Sequence, residues 1–164
     1  MTIPKIKEIE DIARLARLNL EKDGFLAQTA FLWKGDSIAI MGGRPIETKV
    51  DKAAWGAVVR RWAVELEADT VLTVMECWAA ERKGPLAPDD MKGPISEMAG
   101  AYEGVMFHLE TMDGTWGCIV RIVKSEGQGP MFPMPRHWTQ GHTEGLLTNF
   151  LPDKKASAYS KGDV

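Results

Sequence analysis

The sequence predicts an α+β fold, a two-layer α/β arrangement in which two helices lie on a five-stranded, mainly antiparallel sheet. Three observations carry that expectation. Residues 4–23 and 51–66 repeat apolar side chains at spacings of three and four, the period of a helix with one buried face. Shorter runs at 29–33, 37–41, 70–78, 102–111 and 115–123 are apolar or alternating, as strands are. Within each of the pairs 29–41 and 102–123, the glycine-bearing turn is too short for the crossover that parallel strands need. The resulting order, α-β-β-α-β-β-β, closes as one sheet through short connections.

Each element has its own warrant. Pro4 opens the first helix, Ile9, Ile12, Ala13, Ala16 and Leu20 share one face, and Asp23-Gly24 ends it. Lys34-Gly35-Asp36 makes the first hairpin turn. Asp51 is the expected N-cap of the second helix, whose buried face is expected to hold Trp55, Val58, Val59, Trp62, Ala63 and Leu66, with Trp62 in the middle. The run TVLTVMECW is apolar at both parities, which suits a strand covered on both sides. Asp113-Gly114 signals a second hairpin, with Val105, Phe107 and Leu109 on one face beside Ile122, Val120 and Cys118, and with His108 and Arg121 on the other. Prolines and glycines between 127 and 135 work against regular structure there. Residues 1–151 read as a single domain and residues 152–164 as a polar C-terminal tail.

Composition narrows the function classes. A formal charge of −3 and a pI near 5.7 argue against a phosphate-binding basic face. Arg60-Arg61 and Lys154-Lys155 are isolated basic pairs, so nucleic acid is not an expected partner. No apolar run approaches the roughly 18 residues of a membrane span, and acidic residues interrupt the N-terminus where a secretory leader would be apolar. A cytoplasmic protein without membrane association is expected. Cys77 and Cys118 lie in apolar runs that a middle strand should separate, which favours free thiols in a reducing compartment.

The blocks FLWKGDSIAI, AVELEADTVLTVMECWAA, GPISEMAGAYEGVMFHLETMDG and GLLTNFL resemble a loosely defined set of short bacterial and phage α/β proteins of unknown function. The likeness spans most of residues 25–151 and is a pattern of apolar blocks, so it implies the fold and carries no functional residue. The architecture is also similar to the profilin, roadblock and longin folds, an analogy that implies no activity.

Four signals bear on chemistry. His137, His142 and Glu144 in HWTQGHTEG are three groups able to ligate zinc, although the metalloprotease spacing of four between histidines is absent. Cys77, Glu76 and His108 are the nearest approach to a nucleophile–base–carboxylate set, but the apolar setting of Cys77 does not favour a thiolate. Gly42-Gly43-Arg44 lacks the Lys and the adjoining helix N-terminus of a phosphate loop. The segment 79–101 is long for a loop and sets Leu86, Met91, Ile95 and Met98, beside Trp78, among charges, as adaptable partner-binding surfaces do. The expectation is a non-enzymatic protein-binding or adaptor protein, such as an inhibitor carried by a phage or mobile element, acting on a protein partner or by self-association and needing no cofactor. The competing expectation is a metal-dependent hydrolase using His137, His142 and Glu144.

Overall fold

The computed structural model describes residues 2–43, 45–81, 84–85, 93–141 and 150–151. Helix α1 (Ile6–Asp23) buries Ile9, Ile12, Ala13, Ala16 and Leu20, the stripe read from the sequence. It ends at Gly24, which takes a left-handed φ of 77° that a side chain would resist and donates its N–H to the Leu20 carbonyl at 2.8 Å. Strands β1 (Thr29–Lys34) and β2 (Ser37–Gly42) form the first hairpin, with Lys34 opposite Ser37. Helix α2 (Lys49–Glu65) is capped by Thr48 rather than Asp51. Thr48 Oγ1 accepts the Asp51 N–H at 3.1 Å while the Asp51 carboxylate accepts the Thr48 N–H at 3.2 Å. This capping box satisfies two otherwise orphaned donors at once, which Asp51 as the cap would not do.

Strands β3 (Thr70–Ala80), β4 (Ala101–Thr111), β5 (Thr115–Arg121) and β6 (Thr139–Gln140) complete the sheet, whose order is β2-β1-β3-β4-β5-β6. Every pairing is antiparallel. The sheet thus has six strands where five were expected. The extra one is a two-residue pairing of Thr139 and Gln140 with Gly117 and Trp116, too short to show as a pattern in sequence. The β4–β5 turn also differs by its register. Thr111 donates its N–H to Gly114 at 2.9 Å, so Met112-Asp113 occupy the turn and Val105, Phe107 and Leu109 face Val120, Cys118 and Trp116. A shift of two residues preserves the side-chain alternation, so His108 and Arg121 still fall on the opposite face.

The arrangement has three layers, not two. On one face α1 covers Trp33, Leu72, Val74 and Phe107, and Phe132 from the irregular segment after β5 joins the same cluster. The Phe107 and Phe132 rings stand 6.1 Å apart, centroid to centroid. On the other face α2 covers Ala30, Leu32 and Val71 with Trp55, Val59 and Ala63, and Phe150 and Leu151 pack there too. Because β1 and the first half of β3 are apolar at both parities, each face needs a helix, and the two helices divide between them.

The division costs α2 part of its expected stripe. Trp55, Gly56, Val59 and Ala63 are buried, whereas Val58 and Trp62 are 45% and 47% exposed. A helix lying flat on a sheet buries only the arc facing it, and Trp62 falls on the flank of that arc. Residues 152–164, read as a polar tail, lie outside the described residues.

Candidate functional site

The sheet is not covered evenly. β1 pairs with β3 only over Thr70–Val74, and α2 lies over that half. β3 and β4 run on together to Ala80 and Ala101, beyond the reach of the helix. On the α2 face of this outer half, alternation brings up Met75 and Cys77 from β3, Met106 and His108 from β4, and Gly117 and Ile119 from β5. They form the floor of an open groove of about 1250 Å³. Its walls are the α1–β1 connection at Phe25–Gln28, the β2–α2 connection at Pro45 and Ile46 with Lys52, and Thr139 and Gly141 beyond β5.

The walls are held by local hydrogen bonds. Leu26 donates its N–H to Glu76 Oε1 at 2.7 Å, tying the α1–β1 connection to β3. Gly43 donates its N–H to the Gln28 carbonyl at 3.1 Å. A side chain at Gly43 would stand 2.7 Å from the Trp55 ring, so the glycine-rich stretch serves close packing of connection on helix. On the far side, the Thr115 hydroxyl donates to the Gly141 carbonyl. The groove floor differs at Gly117, where an added Cβ would meet nothing within 4 Å.

The floor is poor in reactive groups. Burial, helped by the neighbouring Glu76 charge, pushes the Cys77 thiol up to about 11, so it stays protonated at neutral pH. Burial also raises Cys118, against backbone hydrogen bonds from His137 and Arg136. Glu76 is itself raised by burial, partly offset by the Leu26 N–H. Its side chain points to the opposite face from Cys77, as adjacent strand residues must. Cys77 is opposite Gly104 and His108 is four residues further along β4, about 13 Å away at strand spacing. The nucleophile–base–carboxylate set considered from the sequence is therefore dispersed. His108 and its cross-strand neighbour Thr73 are buried, and Thr73 Oγ1 has no hydrogen-bond partner among the described residues. Cys77 and Cys118 are both free, on opposite faces with β4 between them.

Apart from Glu76, Cys77, His108 and His137, the described residues singled out from the sequence as site candidates do not line the groove. Trp78 is 48% exposed on the face of β3 opposite the groove floor. Ile95 is exposed and Met98 half-buried on a single turn, Ile95–Glu97, that packs against β3 and β4. Trp78 and this turn thus share the outer end of the β3–β4 ribbon. Leu86 and Met91 lie outside the described residues, as do His142 and Glu144. His137 is exposed just before β6 and lines the groove beside Thr139. Among the described residues no three His, Cys, Asp or Glu side chains converge as metal ligands would.

Sequence reasoning missed the groove itself. The alternation that places Met106 and His108 on one face was legible, but how far the cover over that face extends depends on where α2 lands. Among the described residues, the molecule is an antiparallel sheet between two helices with one half-face left open. No protein-family model, curated protein or solved structure matches the chain. No helix among the described residues is long and apolar enough to cross a membrane.

Proposed function

We propose that this chain is a non-enzymatic binding protein that holds an apolar segment of a protein partner in the groove over β3, β4 and β5. The observation that carries the reading is the size and floor of that groove. At about 1250 Å³ it exceeds the roughly 300–1000 Å³ common for small-molecule pockets, and it is open along one side. Met75 and Met106 give the floor flexible apolar groups that adapt to a partner's shape. Cys77 is held as a thiol, which suits a binding surface, and the hydrolase reading rests on His142 and Glu144, outside the described residues. The turn at Ile95 lies at the outer end of the same ribbon, which supports a contact extending past the groove, whereas Trp78 is on the other face of the sheet. The profilin- and roadblock-like analogy rests on the helix-flanked antiparallel sheet alone and adds no activity.

Gly117 offers the test. Because an added Cβ at Gly117 would meet nothing within 4 Å, Gly117→Leu extends a side chain from the floor into the groove. An anilinonaphthalene sulfonate dye should bind the folded wild type and bind Gly117→Leu about tenfold more weakly or worse, roughly 1.4 kcal/mol, with unchanged circular dichroism. Equal binding by the two proteins would take the apolar site out of the groove.

A further inference from the structure

The two edges of the sheet are not treated alike. The β6 edge is two polar residues long, Thr139 and Gln140. The β2 edge is six residues, SIAIMG, without a charge or a proline. Natural edges of that length are ordinarily blunted by lysine, proline, a bulge or a covering element, because their outward N–H and C=O groups recruit another strand. Among the described residues β2 pairs only with β1. The two-residue turn makes Lys34–Ser37 the closing hydrogen-bonded pair, so by alternation Leu32–Ala39 and Ala30–Met41 are the next ones. The backbone groups of Ile38 and Ile40 therefore point outward, and their side chains are 47% and 64% exposed.

A second apolar surface overlooks the same edge. Arg60 reaches over the Phe150 ring at 5.4 Å, and the Phe150 N–H is held by Glu110 of β4 at 2.8 Å, so that flank of α2 looks toward β4. Trp62, two residues on and about 200° round the helix, looks the other way, toward β2, with Val58 beside it. Trp55 abuts Gly43 just past the end of β2, and Asp69 donates its N–H to Trp33 on β1 at 2.8 Å. Hence α2 runs antiparallel to β2, and Val58 and Trp62 lie along its length.

We propose that β2 pairs antiparallel with β2 of a second copy of this chain about a two-fold axis at Ala39, joining the two sheets into one. This surface is separate from the groove and does not depend on the groove's function. The observations favour a second copy because the edge is self-complementary. With Ala39 on the axis, Ile38 of each copy stands opposite Ile40 of the other, and the outward N–H and C=O groups of all four are satisfied. The same axis brings the two α2 flanks together, so Val58 and Trp62 are covered on the second face of the seam. A lone foreign strand would satisfy the edge and leave that helix flank in water.

Sedimentation equilibrium on the full chain tests the proposal, together with amide hydrogen exchange. The wild type is expected at twice the 18.1 kDa chain mass, with the Ile38 and Ile40 amides protected in a concentration-dependent way although they point away from β1. Ile40→Lys and Trp62→Arg should each weaken association at least about tenfold. Ile40→Pro, which removes only an outward donor, should do the same with circular dichroism unchanged. Leu18→Lys, on the exposed side of α1, should leave the dimer intact. A single-chain mass at every concentration with both isoleucine amides exchanging freely would overturn the proposal. So would a dimer that survives Ile40→Lys and Trp62→Arg, or one that Leu18→Lys disrupts equally.

Discussion

The two faces of the sheet use the same strands to opposite ends. Under α1, Leu72, Val74, Phe107, Leu109 and Cys118 are buried in one continuous cluster that α1 and Phe132 seal. On the other face, α2 seals only Ala30, Leu32 and Val71, and Phe150 and Leu151 extend that cover as far as Glu110. Beyond it, Met75, Met106 and Ile119 are left open to the groove. The cluster under α1 is where stability resides, because its members are the larger set of buried side chains. The open half carries less of that burial, so a side chain there can change at a smaller cost to stability.

The contrast breaks most sharply at Phe107. Phe107→Ala on the sealed face should cost about 3–5 kcal/mol, a large share of the roughly 5–15 kcal/mol a domain has, as read by urea denaturation. An effect near that of a surface change would mean the α1 layer is loose. Glu110 comes next. It is fully buried, and its carboxyl oxygens accept the N–H groups of Phe150 and Leu151 at 2.8 and 3.1 Å. Glu110→Ala leaves those two donors buried without acceptors and should cost about 1–3 kcal/mol for each. If it is also to sharpen the comparison, the loss should widen dye access on the α2 face and leave Phe107 packing unchanged.

Trp62 is expected to matter far less to the folded chain than its place in the sequence stripe implied. Trp62→Ala should cost no more than about 1 kcal/mol when measured at low concentration, where association does not add to stability. The last expectation is silent at neutral pH and concerns the pH response of Cys77. Its thiol ionises near 9 when exposed and near 11 in the fold, so the unfolded chain loses that proton first. Stability should therefore be unaffected below pH 9 and fall as pH rises from about 9 to about 11. Cys77→Ala should flatten that slope in thermal unfolding scans. A slope unchanged in the variant would assign it to other groups.

Local chemistry made much of this legible. The α1 stripe from Ile9 to Leu20, its Gly24 stop, both hairpins, and the face shared by Phe107 and Cys118 follow from side-chain period and turn residues, which act over a few positions along the chain. The α+β class and the two free cysteines, kept apart by β4, follow from the same rules. Tertiary structure decided the rest. The cap of α2 is the exception, because the Thr48–Asp51 box lies within four residues and was missed only by taking Asp51 as a single acceptor. Trp62 was left half in water, and the sheet became three layers, because two helices had to cover two apolar faces of β1 and β3. With α2 taken up over Ala30, Leu32 and Val71, its cluster reaches only as far as Met75 and leaves Cys77, Met106 and Ile119 to the groove. A periodicity states which side chains of an element share a face; what covers that face is set by the lengths and landing points of other elements, and these are summed only when the whole chain packs.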